Sequence, residues 1–298
     1  MKTTQYTGLT VRFLLVWLAA AACHSLAAQS EIPIRLVNSN LIVVSLTSGQ
    51  EGPFDFVLDT GAETTVVDPS IVARLSFVSV DRVRQTTLSG AQMLDRGVIR
   101  SLSAGPAKVE NLCVLVQDMA QLRKLDPRIV GIAGQNFLSH FNYLLDYSHR
   151  HLRIELGGEI EDSIHGDHVP IVIKGNRMLV GSIAQSGSDT SLHLMLDSGA
   201  NLVVLLRPAS QLLNLAVAKN VAMMTVSGHA EVPVSRIPTL VVGTQEFRGV
   251  AAMLSSVKTE DGLGDGLLPT SLFQTLYVNN RDKFVVFNPR IKSNAHGR

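Results

Sequence analysis

The chain has 298 residues, of which 46% are apolar and 17% charged, with a mean hydropathy of +0.22. This is enough apolar material for the packed cores of about two domains, and it excludes a disordered or low-complexity chain. With 26 basic against 25 acidic residues, a net charge of +1 and 5% aromatics, nothing suggests a nucleic-acid binder.

Residues 1–28 read as an export signal: Lys2 and Arg12, the apolar run Phe13–Leu18 with Ala19–Ala22, then small residues at Ser25-Leu26-Ala27 for a signal peptidase. The apolar run is shorter than the ~20 residues needed to cross a bilayer, so no integral membrane span is expected. Ala20-Ala21-Ala22-Cys23 resembles a bacterial lipoprotein box, with Ala20 where a large aliphatic residue is usual. A lipid anchor at Cys23 is therefore the secondary expectation. The primary one is an exported protein, periplasmic or secreted, from a bacterium. Cleavage leaves one cysteine, Cys113, in the apolar run Val109–Val116. It is expected to be a buried structural thiol without a disulfide partner.

The remainder is written twice. Phe56-Val-Leu-Asp59-Thr-Gly-Ala62 recurs 138 residues later as Leu194-Met-Leu-Asp197-Ser-Gly-Ala200, and Thr87-Leu-Ser-Gly90 recurs at the same offset as Thr225-Val-Ser-Gly228. Leu102 and Gly105 match Leu240 and Gly243, Ile32-Pro-Ile34 matches Val169-Pro-Ile171, and Val130-Gly-Ile132 matches Asp265-Gly-Leu267. The expected organisation is a first lobe over 29–157, a polar linker over 158–168 and a second lobe over 169–298. Strands are expected at Leu41–Leu46, Phe54–Leu58, Val109–Val116 and Leu144–Leu156, and again at Met178–Ile183, Leu192–Leu196, Phe247–Leu254 and Lys283–Phe287. Short helices are expected at Pro69–Leu75, Gln135–Phe141 and Pro208–Leu215. The class is mostly β, with two similar lobes related by a pseudo-twofold axis that brings equivalent motifs face to face.

An Asp between an apolar strand and a Gly turn is an unusual place for a carboxylate. The Gly permits close approach, and the Thr60 or Ser198 hydroxyl can brace the turn across a junction. Two carboxyls meeting on a twofold cannot both ionise cheaply, so Asp59 and Asp197 would share one proton. One can then deprotonate a water while the other polarises a carbonyl. No metal, cofactor or covalent intermediate is needed.

Asp59-Thr-Gly-Ala-Glu-Thr-Thr-Val-Val67 and Asp197-Ser-Gly-Ala-Asn-Leu-Val-Val-Leu205 each resemble the active-site segment of retropepsin-like aspartyl proteases. Ile129-Val130-Gly131 is similar to the element that braces that segment, and Leu263-Gly-Asp-Gly266 is its less regular counterpart. The resemblance implies two β-barrel lobes with the active-site cleft between them and a catalytic dyad of Asp59 and Asp197. It implies loops supported by Thr60, Gly61, Ser198 and Gly199, and substrate-covering flaps at Ser89, Gly90, Ser227 and Gly228. The implied partner is a polypeptide substrate, cleaved by a monomer that acts as an internal pseudo-dimer. The alternative is a peptide-binding protein on the same fold, in which the irregular second brace leaves the dyad too loose to catalyse. His149, His151, His165 and His168 show no metal-ligand spacing and are expected at the surface.

Overall fold

Strand alternation organises each lobe around the strand that carries its Asp. The computed structural model describes residues 31–87, 90–155, 157–225, 228–255 and 264–291. Residues 1–28, expected to be an export signal and containing Cys23, lie outside the described residues, as do Ser89 and Ser227. In the first lobe Leu41–Ser48 pairs antiparallel with Glu51–Leu58, and the latter lies parallel to Ile129–Ala133. The short strand Thr65–Val67 is held between Ile129–Ala133, antiparallel, and Ala107–Val116, parallel. With neighbours on both edges, all three of its residues are buried.

The second lobe repeats this register by register. Arg177–Gln185 pairs with Asp189–Asp197, which lies parallel to Gly266–Pro269. Val203–Leu205 is held between Gly266–Pro269 and Gln245–Leu254. Each lobe also carries a long antiparallel pair, Val78–Thr87 with Gly90–Ala104 and Lys219–Thr225 with Gly228–Val242. Gly90 and Gly228 sit at matching tips, opposite Thr87 and Thr225.

A six-stranded antiparallel sheet joins the lobes. Its order is Glu31–Val37, His151–Glu155, Asn142–Asp146, Thr275–Asn279, Phe284–Phe287 and Val169–Lys174. The first three strands come from one lobe and the last three from the other, in mirrored order, so the pseudo-twofold runs between Asn142–Asp146 and Thr275–Asn279. The pairing there sets Leu276 against Leu145 and Tyr277 against Leu144. One face of this sheet joins the main core through Leu145 and Leu276, and the other buries Leu144, Tyr277 and Val286 beneath Ile160 and Ile164. Those two isoleucines make the linker a fitted cover. Glu155 anchors it, accepting the N–H groups of Ile160 and Glu161 at 2.7 and 2.9 Å and the Tyr277 hydroxyl at 2.6 Å.

Two expectations change. The single strand expected over Leu144–Leu156 is the pair Asn142–Asp146 and His151–Glu155. The Asp146 carboxylate accepts the His149 N–H at 2.9 Å and Arg150 takes φ +58°, which turns the chain back. The second lobe does the same with Asn279, Asp282 and Lys283, the last at φ +59°, so Phe284–Phe287 has a partner, Thr275–Asn279, that the composition of the segment did not announce. Cys113 is only half-buried, because Leu112 and Val114 take the core face of its strand and leave it on the other. The remaining strands and the short helices at Pro69–Leu75, Gln135–Leu138 and Arg207–Leu212 fall where expected within a few residues.

Candidate active site

Asp59 and Asp197 leave equivalent strands at the lobe junction and face each other across it, close enough for each to shift the other's ionisation. Each is locked by its own turn. Asp59 Oδ1 accepts the N–H groups of Gly61 and Ala62 at 2.8 and 3.2 Å, and Asp197 Oδ1 accepts those of Gly199 and Ala200 at 2.8 and 3.1 Å. One oxygen of each carboxyl is thus held by the backbone.

The turns are tied together by four crossed hydrogen bonds. Thr60 Oγ1 donates to the Leu196 carbonyl at 2.9 Å and accepts the Ser198 N–H at 3.0 Å. Ser198 Oγ donates to the Leu58 carbonyl at 2.7 Å and accepts the Thr60 N–H at 3.0 Å. The exchange of Thr for Ser keeps the hydroxyl and keeps the symmetry. The glycines serve close approach: a Cβ on Gly61 would lie 2.6 Å from Asp197 Cγ, and one on Gly199 would lie 2.9 Å from Asp59 Oδ2. Neither takes a positive φ.

Burial raises both carboxyls above the ordinary range, against the pull of the turn N–H groups. With both carboxyls raised and facing each other, the pair holds one proton between them.

Both brace glycines are in place. Gly131 lies opposite Phe56, where a Cβ would stand 2.3 Å from the ring, and Gly266 lies opposite Leu194, where a Cβ would stand 1.8 Å from the Val204 carbonyl oxygen. The irregular second brace is thus a working one. Asp265 secures its entry, its carboxylate accepting the His193 N–H at 2.8 Å and its own N–H bonding the His193 carbonyl at 2.8 Å.

Four supporting residues escaped the sequence reading. Gln135, buried four residues after Gly131, donates Nε2 to the Thr60 carbonyl at 3.2 Å. Thr270 stands four residues after Gly266, is fully buried, and shares a 2.6 Å hydrogen bond with the hydroxyl of Tyr147 from the other lobe. The offset that aligns the brace glycines would have paired Gln135 with Thr270, whereas Tyr147 had no local signal. Arg177 of the second lobe reaches Glu63, just beyond the first Asp turn, at 3.1 Å. Of the residues the resemblance assigns to flaps, Gly90 and Gly228 are at the tips of the long antiparallel pairs, and the positions of the two serines are not described.

Of the four histidines expected at the surface, His149, His165 and His168 are exposed and His151 is half-buried. His149 pairs with Asp146 at 2.8 Å, and His168 stacks on Phe284 at 3.8 Å between ring centroids.

Two β lobes that each present one carboxyl from a Gly turn, with the turns bonded crosswise, define an aspartyl protease architecture. An aspartyl protease family model matches residues 44–137 and again 183–272, together more than half of the chain. The chain belongs to the aspartyl protease family. No match was found among curated proteins.

Proposed function

We propose that this protein is an exported aspartic endopeptidase that hydrolyses polypeptides with the Asp59–Asp197 dyad. The observation that carries the reading is the set of four crossed hydrogen bonds that locks the two Asp turns face to face. Asp59, ionised, takes a proton from a water held between the carboxyls as that water attacks the peptide carbon. Asp197 donates its proton to the carbonyl oxygen, giving a tetrahedral diol. Collapse of the diol returns one proton to the dyad and passes another to the leaving nitrogen. Gly90 and Gly228, with Ser89 and Ser227, would cover an extended peptide whose backbone bonds in strand fashion.

Export rests on residues 1–28, and among the described residues no helix is long and apolar enough to cross a membrane. The two lobes share one six-stranded sheet within a single chain, which supports action as a monomer. The register of Gly266 opposite Leu194 supports the peptidase reading over a peptide-binding protein on the same fold.

The test is cleavage of a broad peptide library by the mature chain across pH 3–8, with Asp59→Asn and Asp197→Asn alongside. Cleavage lost in both variants and blocked by a statine-type inhibitor is the expected result. Cleavage that survives either substitution would place the chemistry elsewhere.

A further inference from the structure

The two lobes differ at one place beside the Asp turns, and the difference is a coordinated one. In the first lobe a polar bridge spans the space between the strand Thr65–Val67 and the strand Ala107–Val116. Asn136 Oδ1 accepts both the N–H and the hydroxyl of Thr65 at 2.8 Å, and its Nδ2 donates to the Cys113 carbonyl at 2.6 Å. Thr65 Oγ1 in turn accepts the Gly134 N–H at 3.2 Å.

In the second lobe every side-chain partner of that bridge is replaced. The matched strand registers set Val203 where Thr65 stands and Ala251 where Cys113 stands. Counting from the brace glycines Gly131 and Gly266 sets Pro269 in the place of Gly134 and Ser271 in the place of Asn136. Val203 has no hydroxyl, Pro269 has no N–H to donate, and serine is too short to reach across as asparagine does.

A hollow of about 440 Å³ opens at this position, walled by Leu202, Val203, Phe247, Val250, Pro269 and Leu272. Leu202, Phe247, Val250 and Leu272 are half-exposed to it. The charges at its rim, Glu246 and Arg248, satisfy each other at 2.7 Å. The hollow therefore offers apolar contact and asks for no charge.

Its position ties it to the dyad. Asn201, at its mouth, follows Ala200, whose N–H holds the Asp197 carboxylate. Pro269, in its wall, is the strand partner of Asp197 itself. The hollow therefore lies beside the Asp197 turn. We infer that it is an accessory specificity pocket, peculiar to the second lobe, that takes an uncharged apolar side chain of the polypeptide substrate, leucine- to phenylalanine-sized, distal to the scissile bond. The volume falls in the range of ~300–1,000 Å³ typical of small-ligand sites. The inference rests on the proposed peptidase reading for the identity of its occupant.

The test is to restore the first lobe's bridge in the second with Val203→Thr plus Ser271→Asn, a residue pair the same fold already tolerates. Leu is walked through each position of a fluorogenic peptide otherwise of Ser and Gln outside the cleaved pair. Wild type is expected to favour Leu at one distal position by about tenfold in kcat/KM, through KM, the scale of burying one aliphatic side chain. The double variant should cut that preference to about twofold or less while cleaving short peptides at the wild-type rate. Val250→Asp, which alters the wall by a different route, should do the same. Preference unchanged in both variants would overturn the inference.

Should wild type cleave nothing, the peptidase reading fails, and the pocket is judged by binding of fluorescein-labelled peptides to the full chain. Loss of the Leu preference on closing the pocket would still support it, and equal binding would overturn it. An apolar dye displaced by the closing substitutions with no change in any peptide would also overturn it, assigning the hollow to a small molecule.

Discussion

Removing the Thr60 hydroxyl cuts two of the four crossed hydrogen bonds at once. Oγ1 accepts the Ser198 N–H at 3.0 Å and donates to the Leu196 carbonyl at 2.9 Å. Thr60 and Ser198 are each about 1% exposed, so the stranded N–H and carbonyl find no water in the variant. A buried bond contributes ~1 kcal/mol and each stranded partner costs at least ~1 kcal/mol more, so losing both bonds in Thr60→Ala is expected to destabilise the fold by about 4 kcal/mol. Ser198→Ala removes the mirror pair, from the Thr60 N–H and to the Leu58 carbonyl, and should cost a similar amount. The two hydroxyls serve one junction, so the double variant should fall short of the sum by about 1 kcal/mol. Thr60→Ser keeps both bonds and should lose well under 1 kcal/mol of the junction. The only tryptophan is Trp17, in the export segment, so unfolding is best followed in urea by far-ultraviolet circular dichroism. The midpoint should fall with little change of slope. A Thr60→Ala midpoint equal to wild type, or Thr60→Ser as damaged as Thr60→Ala, would refute the view that these hydroxyls hold the junction.

Three further outcomes follow from the same geometry. Gly61→Ala sets a Cβ 2.6 Å from Asp197 Cγ and should reduce peptide cleavage at least ~100-fold with the dichroism spectrum retained, since misplacing a reacting group by about 1 Å is worth that much; wild-type kcat/KM in a folded variant would contradict it. The Asp197 carboxyl is raised in the folded state, so the native protein binds a proton that the unfolded chain releases, and stability falls as pH rises from its ordinary value of 3.8 through the raised one. Asp197→Asn should therefore match wild type near pH 4 and exceed it by more than ~1 kcal/mol in weakly alkaline urea titrations; equal stability at both pH values would show the carboxyl to be unstrained. Burial works against the Asp68 carboxylate, but bonds from Ser70, the Met119 N–H and Arg123 outweigh it and hold the group at about 2. Its contribution is present above pH ~4 and lost on acidification toward 2, so Asp68→Ala should cost ~2 kcal/mol at pH 7 and little at pH 2. A cost independent of pH would point to packing alone.

The repeated Asp59 and Asp197 turns were legible because each is a short local pattern, an apolar strand followed by Asp, a hydroxyl residue and Gly, and because the two stand in register with a second shared motif. The strands were legible for the same kind of reason: alternation and β-branched content are local properties. Tyr147 and Thr270 were not legible, because a 2.6 Å bond between residues of different lobes leaves no trace in either neighbourhood. The turn at His149–Arg150 was hidden by apolar residues on both sides, and only the Asp146 carboxylate capping the His149 N–H separates the two strands. Cys113 was misplaced because its strand buries Leu112 and Val114 on one face, and an apolar run alone does not say which face the third member takes.

The amino-acid order by itself determined the duplication, the β class, the two carboxyls and the hydroxyls beside them, since all of these are carried by residue identity and spacing. The tertiary structure decided how the halves are joined, through a shared six-stranded sheet with the linker as its cover. It also decided that Gly266 takes the register of Gly131, and that the two carboxyls face each other and share one proton. It decided as well that a polar bridge in one lobe gives way to an apolar hollow in the other. Each of these depends on contacts between residues distant in the chain, within a lobe for the brace and the bridge and across the pseudo-twofold for the shared sheet and the dyad, and such contacts are set by packing.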